Sequence, residues 1–382
     1  MLILIGILTI LLIAGIFILS RFKIDATLAV ILAVSFGVRL IAALFQELYH
    51  LAPYAWDEDL FMNMGIKVKH FFDGSRTSLP FETLTGVPAY GFILGVLFYL
   101  FDIHSILPRL LSVVFGTGVV YWVWLIATEV KIKDSYRTLV CLIVGFTPSY
   151  ILYSTLIMRD MLIWLLTLVM VLFWIQAIDR LSIRRLTLGM IPALILVPLR
   201  PQYAPLFVVA LGFVTFLFAK RTNFHFKNIR LPGFQYWIFF SCFSIMLIFG
   251  GLLVLSEISR WDNATLMEYL ISQQGWRAQG GSVYLADLTY SSFWDVVSYL
   301  PLKVIHFLFG PFIWNSGSMQ ILGSSIEALA GWAAVFWIIW YFGNKKEDRS
   351  GWYCILFLLL FAGINLITAA VIDSNYGTAM RH

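Results

Sequence analysis

Apolar runs long enough to cross a lipid bilayer fill most of this sequence, and they limit its fold more than any motif does. A helical run of about 20 apolar residues crosses the hydrocarbon core of a membrane. Of the 382 residues, 60% are hydrophobic, against roughly 45–50% in soluble domains. We therefore predict an all-α, polytopic integral membrane protein with about 10 transmembrane helices, built as a single domain over 1–382. The predicted spans are about 1–20, 27–47, 106–128, 138–157, 161–178, 187–199, 204–219, 236–256, 320–342 and 351–372.

The charges of the connecting loops predict how these helices are oriented. Short loops rich in lysine and arginine lie on one side of a membrane under the positive-inside rule. All the basic connectors share a side only if two further apolar stretches, 86–101 and 297–314, do not cross. We therefore predict two interfacial or re-entrant helices on the outer face, in a first outer loop at 48–105 and a second at 257–318. The basic connectors are 21–23, 131–137, 180–185, 220–230 and 345–349.

The remaining composition excludes several classes of function. The formal net charge is only +5, and its basic residues lie in short loops, so we expect no nucleic-acid partner. The three cysteines, Cys141, Cys242 and Cys354, fall inside apolar runs and have neither metal-ligand spacing nor a disulfide framework. The first apolar run has no basic start and no cleavage site, so we expect a retained helix rather than a signal peptide.

An acidic triplet, Asp57-Glu58-Asp59, follows the second predicted helix of a chain that is only 12% charged. Carboxylates beside a bilayer are costly to desolvate and usually serve chemistry or ion binding. Residues 57–70 predict an amphipathic helix whose apolar stripe lies on lipid. The triplet either caps this helix or supplies a general base or metal-binding carboxylate. The stripe consists of Leu60, Phe61, Met64 and Val68.

Two tight outer corners between predicted helices carry charged side chains. Arg159 and Asp160 form either a solvated turn or a second carboxylate with a phosphate contact beside it. Arg200 follows a short helix that is broken by Pro192 and Pro198. An arginine at this depth requires an anion, so we expect it to bind a carboxylate or a phosphate.

Two further arginines lie within predicted helices. Arg109 begins a helix that contains Gly116 and Gly118, where we expect close helix packing. It is either structural or a substrate-binding residue. Arg39 lies deep in the second predicted helix, and we expect it to pair with a buried carbonyl or acid.

The second outer loop has the composition of a sugar-binding loop. Trp276, Arg277 and Tyr284 stand among glutamines and glycines, and such rings stack on sugar faces, although ordinary surface loops share this composition. Lys303 and His306 are three residues apart and share a helical face. They either contact a lipid phosphate or snorkel to the interface.

The order of these features resembles the GT-C glycosyltransferase superfamily, in its branch related to protein mannosyltransferases and aminoarabinose transferases. Those enzymes show an outer Asp-Glu after an early helix, a Pro-Tyr interfacial helix, an Arg-led helix, an acidic corner and an Arg-Pro corner. The resemblance covers roughly residues 35–330. The matching residues here are Asp57-Glu58, Pro88-Ala89-Tyr90, Pro108-Arg109, Arg159-Asp160 and Arg200-Pro201.

The resemblance implies a membrane enzyme that moves a sugar, with inversion, from a polyprenyl-phosphate donor to an acceptor hydroxyl. Asp57 would be the general base with Glu58 beside it, Asp160 the second acidic residue, and Tyr90 a substrate contact. A divalent cation, Mg or Mn, between Asp57 and Asp160 occurs in oligosaccharyltransferase relatives, whereas the other branch works without one, so this cofactor stays open. The expected location is a bacterial cytoplasmic membrane, with the active site facing outward.

The implied partners are a lipid-linked sugar, membrane lipid, and an acceptor that is a glycan, a lipid or a protein. Two other functions compete with this prediction. An envelope polysaccharide polymerase or ligase joins preassembled lipid-linked glycans and relies on arginines in its outer loops. A transporter or flippase moves a lipid-linked sugar without chemistry, and such proteins often show two pseudo-symmetric halves, which this sequence lacks.

Overall fold

In the computed structural model, every regular element of the described residues is an α-helix. The structure describes residues 25–50, 52, 55–82, 84–201, 204–221, 266–277, 283–285, 287–312, 314, 324–329, 331–333, 336 and 349–374. The helices with assigned bounds are α1 Ala26–Tyr49, α2 Ala55–Phe72, α3 Val87–Phe101, α4 Ile106–Glu129, α5 Asp134–Phe146, α6 Pro148–Tyr153, α7 Asp160–Arg180, α8 Ile183–Leu199, α9 Ala204–Arg221, α10 Leu266–Arg277, α11 Phe293–Phe309 and α12 Arg349–Ile372.

Four of the described helices are long and apolar enough to cross a membrane: α1, α4, α7 and the Tyr353–Ile372 part of α12. They coincide with four of the predicted spans, which confirms an all-α protein with helices of membrane-spanning length. The predicted spans 1–20 and 236–256 lie outside the described residues, and 320–342 is described only in part.

The predicted span at 138–157 is divided in two. Helix α5 ends at Phe146, and α6 begins at Pro148, with Thr147 between them in an extended conformation (φ −60°, ψ 125°). Proline restricts the preceding residue to this region and cannot donate the next helical hydrogen bond. After α6, residues 154–159 run as a turn and bend into α7, and this turn carries much of the candidate site.

Helices α3 and α11 are shorter than the four helices of membrane-spanning length. They contain 15 and 17 residues, which corresponds to about 22 and 26 Å, whereas the hydrocarbon core is about 30 Å thick. The length of α3 agrees with the prediction that 86–101 does not cross, whereas α11 is at the lower limit of a spanning helix, so the prediction for 297–314 stays a prediction.

Helices α2 and α3 pack against each other through glycines. A Cβ atom on Gly91 would lie 2.2 Å from Met64 Cγ, and one on Gly95 would lie 2.3 Å from Val68 Cγ1. The apolar stripe of α2 therefore faces α3 rather than lipid, because Phe61 and Val68 are buried. The prediction of a lipid-facing stripe was wrong except at Leu60, which is 51% exposed.

The arginine inside α1 is a structural residue, as expected. Arg39 is buried and donates hydrogen bonds to the main-chain carbonyls of Val144 (3.2 Å) and Gly145 (2.7 Å), at the end of α5. A Cβ atom on Gly116 would lie 3.0 Å from Arg39 Nε and 2.7 Å from Ser154 Cβ. The glycine predicted to allow close helix packing in α4 therefore does so.

Helices α4 and α7 run in parallel and are joined at both ends. Near their beginnings, Ser112 of α4 donates to the Leu156 carbonyl (2.9 Å) just before α7. At their ends, Arg180 of α7 forms an ion pair with Glu129 of α4 (2.9 Å). The bundle therefore has two distinct ends, and we call the one where α4 and α7 begin the site end.

Candidate functional site

Arg109 is the centre of a buried network at the site end. Its Nη1 donates to Glu58 Oε1 (2.5 Å) and to the Thr155 carbonyl (2.9 Å), and Nη2 donates to Glu58 Oε2 (3.2 Å). Its Nε donates to Glu47 Oε2 (2.7 Å), at the end of α1. One guanidinium thus ties α1, α2 and the turn before α7 to the start of α4, which favours the structural alternative for Arg109.

Glu58 is held on both of its oxygens. Besides the two Arg109 contacts, Oε1 accepts the main-chain N–H of Ile157 at 2.8 Å. Donors thus occupy both Glu58 oxygens, so the hydroxyl of a substrate has little access to this carboxylate. Its neighbour Asp57, in the first turn of α2, is partly exposed. The geometry therefore favours Asp57 over Glu58 for proton transfer.

Asp160 and Arg200 form a second buried ion pair at the same end. Arg200 Nη2 lies 2.6 Å from Asp160 Oδ1, and their side chains are only 8% and 5% exposed. Asp160 is the first residue of α7, where the helix dipole favours a negative charge. Arg200 follows the last residue of α8. The arginine that was expected to need an anion therefore has a carboxylate.

Arg159 and Tyr90 both lie close to the Phe61 ring. The Arg159 guanidinium carbon is 5.8 Å from the Phe61 ring centroid, and Nη1 donates to the Leu199 carbonyl (2.7 Å). The Tyr90 ring meets Phe61 edge-on, with centroids 5.3 Å apart. Burial raises the pKa of the Tyr90 hydroxyl, with the Ser112 hydroxyl opposing this. Since Phe61 lies one helical turn after Asp57, these residues belong to the same end of the bundle.

A largely apolar cavity of about 500 Å³ begins at Arg200 and extends between α4, α7 and α12. Among the described residues that line it, Arg200 is the single charged side chain. Ile163 and Trp164 line it one turn after Asp160, and Phe307 of α11 and Ala369 of α12 line it as well. An ion pair therefore stands at the edge of an apolar chamber.

Lys303 and His306 belong to a second polar cluster, which we define as Tyr284, Tyr290, Lys303, His306 and Asp373. Lys303 is fully buried and donates to the Tyr290 hydroxyl and to the Val371 carbonyl, each at 2.9 Å. Tyr284 donates to the Asp373 carbonyl (2.9 Å) and stacks on His306 at 5.6 Å. Lys303 therefore does not snorkel to the interface, and it binds α12.

The two remaining predicted sugar contacts, Trp276 and Arg277, end helix α10, and their side chains lie outside the described residues. Sequence reasoning missed Glu47, Tyr290 and Asp373. Glu47 and Asp373 each stand at the polar end of an apolar run. Because a buried cation requires a counter-charge, the arginine and lysine predictions could have directed attention to these acids.

A divalent cation shared by Asp57 and Asp160 stays a prediction, and in this arrangement Asp160 already pairs with Arg200. A bound cation would have to share Asp160 with the positively charged Arg200 at 2.6 Å, and like charges repel. In the part of the chain that is described, no three His, Cys, Asp or Glu side chains form a group that could hold a metal.

No protein-family model matches this sequence, and no curated protein is significantly similar to it. The resemblance to GT-C glycosyltransferases therefore stays a prediction, drawn from the order and spacing of a few residues.

Proposed function

We propose that this protein is a membrane glycosyltransferase that moves a sugar from a polyprenyl-phosphate donor to an acceptor hydroxyl at the outer membrane face, with inversion. The full architecture would be GT-C-like, with about ten spans and two interfacial helices. The observation that carries the proposal is the buried Arg200–Asp160 pair at the edge of a large apolar cavity. Such a site suits a ligand with a charged head and a long apolar tail.

The donor would place its tail in the cavity and its phosphate at the arginines. A volume of about 500 Å³ lies in the range of pockets that enclose ligands, about 300–1,000 Å³, and can hold the first part of a polyprenyl chain. A guanidinium carries five N–H donors, so Arg200 can bind Asp160 and a phosphate together. It would then stabilise the negative charge that develops on the leaving phosphate, with Arg159 nearby.

Asp57 would act as the general base. It would accept the proton of the acceptor hydroxyl as that oxygen attacks the anomeric carbon of the donor sugar. The bond from this carbon to the phosphate oxygen breaks on the opposite face, and the electron pair leaves with the polyprenyl phosphate. The Arg109 network supports this role, because it fixes Glu58, the neighbour of Asp57, and the turn that leads into Asp160.

The adjacent carboxylates of α2 provide a matched test. Replace Asp57→Asn and, as the control, the exposed Asp59→Asn, and measure transfer of labelled sugar from polyprenyl phosphate in membranes. We expect D57N to lose about 100-fold or more in rate, the usual worth of a general base, and D59N to keep its activity. Full turnover in a well-expressed D57N variant would remove Asp57 from the mechanism. Transfer of whole oligosaccharides from a pyrophosphate donor would indicate the polymerase or ligase instead.

A further inference from the structure

Helix α11 exposes apolar side chains and buries a charged one, which is the opposite of what a helix at a water surface does. Its outward side carries large apolar side chains: Phe293 and Trp294 are 67% and 75% exposed, and Val297 and Ile305 are exposed as well. Its inward side carries Lys303, which is fully buried. Helices at a water surface bury apolar residues and expose charge. The outer side of α11 is therefore suited to lipid, with aromatic residues at its beginning as in membrane-interface belts.

The surface beside α11 has the same character. Helix α12, which is long and apolar enough to cross a membrane, packs against α11. It exposes Leu359, Leu360 and Ile367. The apolar side of α11 thus stands next to a helix that is itself expected to face acyl chains, and lipid is the occupant that both surfaces fit.

Polar contacts attach α11 to the end of α12. Lys303 donates to the Val371 carbonyl and to the Tyr290 hydroxyl, and Tyr290 in turn donates to the same Val371 carbonyl at 2.8 Å. We call Tyr290, Lys303 and Val371 the latch. Lys303 is its buried cation.

The last turn of α11 reaches the cavity. Phe307 and Leu308 line it, four and five residues after Lys303. Ala369 of α12 also lines the cavity. The Ala369 carbonyl accepts a 2.8 Å hydrogen bond from the N–H of Asp373, one helical turn further along the chain. Helix α11 therefore has lipid-suited residues on one side and cavity-lining residues at its end, with the latch between it and α12.

We propose that α11 is a lateral gate whose outer side contacts the acyl chains of the bilayer, and that lipid chains enter the cavity when the latch releases α11 from α12. The identity of that lipid as the polyprenyl donor rests on the proposed function. The gate itself does not, because it concerns access from the bilayer to the cavity. Its test therefore uses no substrate and no turnover.

Access to the cavity can be measured by thiol labelling. Phe307 is replaced by cysteine in a variant that has alanine at Cys141, Cys242 and Cys354, so that the protein contains a single thiol. This protein is reconstituted into phosphatidylcholine vesicles and labelled with a lipid-soluble maleimide. Adding Lys303→Met or Tyr290→Phe should speed labelling, by about tenfold for K303M and less for Y290F, because lost hydrogen bonds favour local opening. The matched control is Lys69→Met, which removes a lysine that pairs with Asp73 on α2. Equal labelling rates in Y290F, K303M and K69M would overturn the gate.

Contact with acyl chains can be measured on the same background. A fluorophore on Ile305→Cys should be quenched by lipids brominated on their acyl chains, whereas one on Ser78→Cys, in the exposed polar segment after α2, should not. Equal quenching at the two positions would also overturn the proposal. If sugar transfer fails in every assay while both results hold, the gate stands and the proposed enzyme activity falls.

Discussion

Arg200 donates a 2.6 Å hydrogen bond to Asp160 across 40 residues of sequence, and so joins the end of α8 to the beginning of α7. Both side chains are buried, and Arg200 also lines the apolar cavity. A buried ion pair adds little net stability compared with apolar residues of the same shape, but removing one partner alone is costly. The net stability of the pair therefore gives little reason for its position at the cavity, and the donor phosphate proposed above would give one.

Breaking the Arg109 network should destabilise the fold. We expect Arg109→Gln to cost about 3–5 kcal/mol, because it leaves the buried Glu58 carboxylate without its cation. Glu58→Gln should cost less, because Arg109 keeps its ion pair with Glu47. The double variant should cost less than the sum of the two, since the residues contact each other directly. Thermal unfolding of the purified protein provides the measurement.

The matched control for this prediction is the pair Lys69–Asp73 within α2, where both side chains have more exposure (18% and 34%). Lys69→Met and Asp73→Asn should change the unfolding temperature little. Additive effects of the two Arg109-network variants would show that Arg109 and Glu58 do not act as a unit.

Because α2 and α3 pack closely, we expect that adding one methyl group between them destabilises the protein. Gly91→Ala would place a Cβ atom 2.2 Å from Met64 Cγ, and we expect a loss of about 1–3 kcal/mol in the free energy of unfolding from overpacking. Adding Met64→Ala should recover part of it. The control is Gly37→Ala in α1, where nothing lies within 4 Å. A tolerated G91A would contradict the close packing of α2 on α3.

Opening of α11 should depend on pH. Burial lowers the pKa of Lys303 to about 8, with the Asp373 carboxylate opposing it, against an ordinary 10.5. Between these values an open state in which Lys303 reaches water at the membrane surface, at the end of α12, binds more protons than the closed state, so rising pH stabilises the closed state. In the closed state burial raises the pKa of Tyr290 to about 12 and lowers the pKa of His306, so neither neighbour changes charge there; Tyr290 exposed by opening returns to its ordinary pKa of 10.0 and begins to ionise only at the upper end of this window.

The measurement is the labelling rate of F307C divided by that of S78C, since thiols react faster as pH rises. This ratio should fall between about pH 8 and 10 and stay flat in the K303M variant. A ratio that rises with pH, or one that falls equally in K303M, would mean that Lys303 does not control the gate.

Much of the helical architecture could be predicted from the periodicity and length of the apolar runs. The predictions that were wrong depended on which neighbouring helix a residue packs against. The spans at 27–47, 106–128 and 161–178 are recovered because long apolar runs have one stable form in lipid. The stripe of α2 was assigned to lipid because an amphipathic pattern does not say which surface it meets. Only the small residues of the facing helix, such as Gly91 and Gly95, contain that information.

Several residues of the candidate site could be named from the sequence, but the contacts between them could not. Asp160 and Arg200 were both singled out, but their distance in sequence hid the ion pair between them. Lys303 was expected at a phosphate or at the interface, and it is buried against α12. The partners that decide this, Tyr290 and the Val371 carbonyl, include a main-chain group, which leaves no mark on the sequence.

We propose that Arg200 binds the donor phosphate at the edge of the cavity, and equilibrium binding of a labelled polyprenyl phosphate in nanodiscs tests this proposal. Asp160→Asn removes the competing carboxylate charge and should tighten binding, whereas Arg200→Gln should weaken it, each by about tenfold. Glu129→Gln and Arg180→Gln, in the ion pair at the opposite end of α4 and α7, should leave binding unchanged. Affinities in D160N and R200Q that match the wild type, in folded protein, would contradict the account.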